Sequence, residues 1–268
     1  MEPRVIGLIA AMPEEIKPLL RRIGAYAGEK CDGFEAWRFN LGRREILLVR
    51  SGMGPKNAAA ATRALIAMAR PELIINFGFA GAVSAGTGVG DIVVADRILL
   101  YREGFFPEQP GIFAEKAEGL AALLVSNLGG KEIQIRRGTF VTAAGIKSKR
   151  EMAELLPAWA TNPVLEMETS AVAQAAYEGN VPLIAIRAIS DGAEEELKFA
   201  IEEFTDRELN FRVGKVLLTV AKKPWIVPQL LRLARNSRTA GENLASVLMT
   251  LLENLQDIPP RPAVEHPR

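Results

Sequence analysis

The sequence predicts a single α/β domain: a central mixed, largely parallel sheet covered by helices on both faces, followed by a C-terminal helical extension. Three observations predict it. Short apolar runs bounded by breakers alternate with helix-period segments throughout residues 5–222, the pattern of strands joined by crossover helices. The 268 residues, 49% hydrophobic and 24% charged, suffice for one large core and a polar surface. No internal repeat or linker interrupts that span, and no stretch reaches the ~20 apolar residues of a spanning helix.

Taken in order, residues 5–10 are short, apolar and followed by a breaker, so they read as a buried strand. Pro13 suits a first helical turn, Glu14 and Glu15 suit a helix N-terminus, and Ile16, Leu19, Leu20 and Ile23 then recur at helical spacing. Residues 35–39 and 45–49 form a hairpin turned at Leu41-Gly42-Arg43. Residues 51–55 are a tight loop and 57–68 an alanine-rich helix. A second buried strand over 73–77 leads into a glycine-rich loop over 78–90, and residues 92–100 return as a strand. Further strands fall at 138–142, 163–167 and 182–190, with helices between them, one over 169–177.

From residue 222 the pattern becomes purely helical. Val227, Leu230, Leu231, Ala234, Leu244, Val247, Leu248, Leu251, Leu252 and Leu255 keep helical spacing, with Gly241 as a weak point. This is either one helix or a helical hairpin, packed on the core or on a neighbouring subunit. The alternative reading takes Arg232, Arg235, Arg238 and Trp225 as the basic and aromatic edge of an interfacial helix making peripheral membrane contact. The organisation expected is a domain over 1–221, its helical extension over 222–256, and a disordered tail over 257–268, which is rich in proline and charge.

Composition narrows the chemistry. A formal net charge of +1 gives no argument for a nucleic-acid partner. The lone Cys31 excludes an internal disulfide and fits a reducing, cytoplasmic setting. The single histidine, His266, lies in the tail, which argues against a histidine-based triad or a zinc site. No cofactor and no metal is expected. Catalysis must then rest on carboxylates, amides, hydroxyls and backbone dipoles. Three carboxylates, Glu15, Glu168 and Asp191, stand where strands end and loops or helices begin, where open α/β sheets bind ligands. Each is also what a helix start would carry for structural reasons alone.

Five motifs, in order over residues 5–192, then carry a resemblance. Ile9-Ala10-Ala11-Met12-Pro13-Glu14-Glu15 is followed by Ser51-Gly52-Met53-Gly54 with Asn57-Ala58-Ala59. Next come Ile74-Ile75-Asn76-Phe77-Gly78-Phe79-Ala80-Gly81 with Gly90-Asp91, then Glu166-Met167-Glu168-Thr169-Ser170-Ala171, then Ile186-Arg187-Ala188-Ile189-Ser190-Asp191. The series resembles the methylthioadenosine/S-adenosylhomocysteine nucleosidases of the nucleoside phosphorylase and nucleosidase superfamily, and implies their fold. The implied activity is cleavage of the N-glycosidic bond of a 5′-substituted adenine nucleoside, releasing adenine.

By that resemblance Asp191 is the general acid at purine N7, with Ser190 supporting the base. The acid must be protonated in the complex, which burial would favour. Glu168 is the ribose-hydroxyl ligand, expected ionised because it precedes a helix start. Met167 packs on the ribose, Glu15 activates water, and Phe79, Gly81 and Ile146 line the substrate. Leu165 and Met167 should share one strand face and Glu166 and Glu168 the other. Arg187 is read as a structural partner of a carboxylate beneath the site.

Related phosphorylases carry arginines where this chain has Glu15 and Asn76, which favours water over phosphate as nucleophile. Arg50 and Lys56 remain alternative phosphate contacts. Two departures stand out: Phe79 replaces the usual serine, and residues 142–147 lack the stacking phenylalanine, with Ile146 nearest its place. An impaired nucleoside-binding protein is therefore a competing reading. The tail, with Lys223-Pro224-Trp225 and Leu230-Leu231-Arg232-Leu233-Ala234-Arg235, resembles hopanoid-associated phosphorylases, which implies phosphorolysis of a nucleoside such as adenosylhopane as the other alternative. A homodimer is expected by resemblance only.

Overall fold

Side-chain alternation in the first strand sets the layers. In the computed structural model, which describes residues 5–110, 114–127, 133–143, 148–195, 219 and 222–255, β1 (Val5–Ala10) sends Ile6, Leu8 and Ala10 into one apolar layer and Ile9 into the other. Gly7 faces the second layer, and a Cβ there would stand 2.5 Å from Leu65 Cδ2, so a helix lies close against the strand at that point.

The chain continues through α1 (Pro13–Ile23), β2 (Ala27–Cys31), β3 (Phe34–Leu41), β4 (Arg44–Arg50) and α2 (Pro55–Ala69). It then forms β5 (Leu73–Ala82), β6 (Ile92–Leu100), α3 (Ala114–Asn127), β7 (Ile135–Thr142), α4 (Lys149–Leu155), β8 (Val164–Glu166), α5 (Thr169–Glu178) and β9 (Leu183–Asp191). A single-turn 3-10 segment, Pro224–Ile226, precedes the long α6 (Val227–Asn254).

The described strands form one mixed sheet. β2, β3, β4, β1 and β5 lie side by side. β5 pairs along most of its length with β9 and at its far end with β8, while β9 pairs with β6, β6 with β7 and β7 with β8. Five strands therefore close into a ring, and the rest extend from β5 as a twisted flap. The pairings β1–β4, β1–β5, β5–β9, β6–β7 and β7–β8 are parallel. Helices cover both faces: α1, α3 and α6 pack with Ile6, Leu8, Ile75 and Phe77, and α2 and α5 with Ile9, Val49 and Ile74.

Two sequence expectations change, and one left open is decided. Residues 78–82 are strand, not the start of a loop, so β5 runs five residues further than expected. Its glycines serve close approach: a Cβ on Gly78 would stand 2.5 Å from Glu15 Oε1. The polar β2 was not anticipated at all. The extension is one continuous helix through Gly241. There a Cβ would stand 3.1 Å from Pro18 Cγ and 3.2 Å from the Glu14 carbonyl oxygen, so this glycine admits α1 rather than breaking α6.

The two halves of α6 differ. Leu244, Val247, Leu248, Leu251 and Leu252 are buried in the core, whereas Leu231 is 67% exposed. Ile146 and the 257–268 tail lie outside the described residues.

Candidate active site

A cavity of ≈ 700 Å³ opens where β1, β5, β8 and β9 end and α1 begins. Glu15, Phe79, Gly81, Met167, Glu168, Ser190 and Asp191, separated by up to 176 positions in the chain, all line it. Of the residues expected at the site, only Ile146 falls outside the description. Arg50 and Lys56 are not among the lining residues, and Arg50 pairs with Glu35 at 2.8 Å.

Glu15 is placed by its own helix start. Its Oε2 accepts the N–H groups of Ala11 (2.9 Å) and Met12 (2.8 Å), and its Oε1 accepts that of Phe79 (2.8 Å). These donors fix the carboxylate between β1 and β5. Burial pushes the carboxyl up from its ordinary value, against the opposing charge of Arg187 and the three N–H donors.

Beneath the cavity lies a buried polar cluster. The Arg187 guanidinium, 1% exposed, donates to Glu166 Oε2 (2.9 Å), Asn76 Oδ1 (2.8 Å) and Thr169 Oγ1 (2.8 Å). The carboxylate pairing expected of Arg187 is therefore present, with Glu166 as its partner. Glu166 Oε2 also accepts the N–H groups of Glu168 (2.9 Å) and Thr169 (2.8 Å), while its Oε1 accepts the Thr142 hydroxyl. It is Glu166 that occupies the start of α5.

That arrangement corrects the expectation for Glu168. Its side chain caps nothing on α5. It reaches instead across the cavity to accept the Gly54 N–H at 2.7 Å. Burial first, and the neighbouring Glu166 charge second, push its carboxyl up from 4.5 to about 8. Both effects favour the neutral acid over the carboxylate. The strict strand alternation also ends early: β8 stops at Glu166, and Leu165, Glu166, Met167 and Glu168 all line the cavity.

Asp191 ends β9. The Ser190 hydroxyl donates to its Oδ1 at 2.6 Å, and the ammonium of Lys149 sits on its Oδ2. The sequence predicts an acid readied by burial; the structure gives it a cationic partner. Lys149 was missed because its only signal in the sequence is a basic residue at a helix start.

Phe79 explains its departure from serine. Its ring reaches α6, where a Cβ on Gly241 would stand 3.5 Å from Phe79 Cζ. Pro18 of α1 and Leu230, Leu233 and Ala234 of α6 add apolar side chains to the lining, beside the charged Glu14, Lys17, Arg21 and Arg238. The extension thus contributes directly to the site.

Comparison with known proteins agrees with this architecture. The phosphorylase superfamily model matches residues 5–222. A 5′-methylthioadenosine/S-adenosylhomocysteine nucleosidase of Haemophilus influenzae is 30% identical over 210 residues, covering 74% of this chain and 91% of that one. The corresponding nucleosidase of an Exiguobacterium species is 27% identical over 230 residues, covering 81% and 97%. In structure, the S-adenosylhomocysteine nucleosidase of Streptococcus pyogenes, solved with 5-methylthiotubericidin, superposes with a TM-score of 0.68 at 24% identity, covering 95% of this chain and 98% of that one. With a family model spanning nearly all the α/β domain, the chain belongs to the phosphorylase superfamily.

Proposed function

We propose that this protein is a purine nucleosidase, cleaving the N-glycosidic bond of a 5′-substituted adenine nucleoside with water and releasing adenine. One observation carries the reading: Glu15, Glu168 and Asp191, remote in sequence, converge on one cavity of a size that suits a nucleoside. The nucleosidase relatives support it.

The chemistry follows from the roles. Purine leaves poorly as an anion, so protonation at N7 by Asp191 lets it depart neutral while the ribose becomes oxocarbenium-like. Glu168 binds the ribose hydroxyls, and the positive charge developing on the sugar favours its ionised form. Met167 packs against the ring. Glu15 accepts the proton of the attacking water, and a carboxyl raised by burial is a stronger base than an exposed one. A carboxylate at that place repels phosphate.

The apolar side chains of Leu230, Leu233 and Ala234 in the lining support the reading of a long apolar 5′ group. Peripheral membrane contact through Trp225 and Leu231, which are 69% and 67% exposed, and homodimer formation extend the same reading. The test is adenine release from 5′-methylthioadenosine and its long-chain 5′-alkylthio analogues, followed chromatographically. The wild-type protein should release adenine, and Glu15→Gln should lose about 10²-fold or more in turnover. A folded Glu15→Gln protein with near-normal turnover removes Glu15 from the reaction.

A further inference from the structure

Lys149 occupies a costly place. It is the first residue of α4, where a cation opposes the helix dipole, and lysine is rarely buried unless paired. Its side chain is nonetheless only 7% exposed. The ammonium meets the Asp191 carboxylate and donates to the carbonyl oxygens of Gly192 (2.7 Å), Glu195 (3.2 Å) and Asp191 (3.3 Å). The opposing strand is hollowed to admit the pair: a Cβ on Gly81 would stand 2.7 Å from both Asp191 Oδ2 and Lys149 Cε. The Ser190 hydroxyl sits at Oδ1, with the Ala80 carbonyl also 3.4 Å from that hydroxyl, and the Lys149 ammonium sits at Oδ2. The ammonium thus brings a proton to the carboxyl group from which the proposed reaction must deliver one to N7.

We propose that Lys149 is the proton partner of Asp191, so that the proton reaching the departing purine is held by the Lys149–Asp191 pair rather than by Asp191 alone. The proposal rests on the reading of Asp191 as the general acid. As the glycosidic bond breaks and its electrons pass to the base, a Lys149 N–H bond breaks and a proton moves to Asp191 Oδ2. From that oxygen it passes to N7. Asp191 ends as a carboxylate, Lys149 as a neutral amine and the purine as a neutral molecule. The nucleophilic water gives its own proton to Glu15, and both groups re-equilibrate with solvent after release. Lys149 acts through Asp191 and is therefore a positioning residue. The other charged groups facing this cavity are Glu14, Glu15, Lys17 and Arg21 of α1, Glu166 and Glu168 at β8, Glu195 beyond β9, and Arg238 of α6. Arg187 lies beneath it.

The test is the pH profile of kcat/KM for adenine release by the wild-type protein, Lys149→Met and Lys149→Arg, with thermal melting to confirm folding. A proton shared by the pair is available at higher pH than one held by a carboxyl alone, so the alkaline limb of the wild-type profile should lie above that of Lys149→Met. In Lys149→Met the alkaline limb should move about two units or more toward acid, with activity recovering at low pH, where Asp191 takes up its own proton. Lys149→Arg keeps the charge but does not release a proton, so it should fall about 10²-fold at every pH and lie below Lys149→Met in acid. A purely structural lysine predicts the reverse: arginine restores the wild-type profile, and methionine lowers the rate evenly without moving the limb. Either result overturns the proposal. So does a wild-type alkaline limb below about pH 7, which needs no variant to fold. A wild-type protein that releases no adenine contradicts the functional reading itself, and the proposal with it.

Discussion

Glu166 and Glu168 carry the same side chain two residues apart and do different work. Glu166 takes the Arg187 guanidinium and the N–H groups at the start of α5, which leaves Glu168, among the described residues, the N–H donor of Gly54. The folded protein therefore keeps Glu168 protonated up to about pH 8, whereas the unfolded chain ionises it from about 4.5. Between those values the unfolded state binds fewer protons, so this group makes stability fall as pH rises through the window, with the full penalty above it. Glu168→Gln removes that proton equilibrium while its amide oxygen can still accept from Gly54. Its melting temperature should match the wild type near pH 4.5 and exceed it increasingly up to about pH 8, while adenine release is lost. A difference independent of pH would contradict the assignment. The motif in the sequence contains both glutamates, but only Glu168 was given a role and it was Glu168 that the helix start was expected to favour; the structure gives that start to Glu166. That depends on Arg187 and Thr169 meeting Glu166 in space. Lys149 was illegible for the same reason, since only the folded chain brings it to Asp191.

At the scale of elements, period and punctuation located most strands and helices. The exceptions are physical. β2 is Ala-Gly-Glu-Lys-Cys, mostly exposed beside β3, and carries no apolar alternation to read. The glycines of β5 and α6 look like breakers in the sequence but mark close approach. Gly241 gives a sharp test. On propensity alone, Gly241→Leu should stabilise a mid-helix position by up to about 1 kcal/mol. In the structure the new side chain meets Pro18 and the rigid Glu14 carbonyl, so overpacking of about 1–3 kcal/mol should prevail and thermal denaturation should show a net loss. A stabilised Gly241→Leu protein would mean that α6 is not seated on α1.

Over the whole molecule, α6 joins core and site. Its second half belongs to the core, so removing the extension would take Leu244, Leu248 and Leu252 away from the apolar layer of Ile75 and Phe77 and damage every activity alike. Point changes in the first half separate the roles. Leu230→Asp with Leu233→Asp should depress kcat/KM for adenosines with long apolar 5′ chains about tenfold or more, since each leucine contributes roughly 1.5–3 kcal/mol when covered by an apolar partner. Cleavage of methylthioadenosine, whose 5′ group is short, should be nearly unchanged. Equal losses on short and long substrates would leave α6 as a wall with no part in selecting the 5′ group.

The central claim is hydrolysis at an adenine glycosidic bond, with Glu15 where a phosphorylase would bind phosphate. The most direct measurement is to incubate the protein with 5′-methylthioadenosine and its long-chain analogues, in phosphate-free buffer and again with phosphate, and to identify both products. Adenine and the free 5′-substituted ribose should form at the same rate in both buffers. A strict requirement for phosphate with recovery of the sugar 1-phosphate, or no adenine from any of these nucleosides, would contradict it.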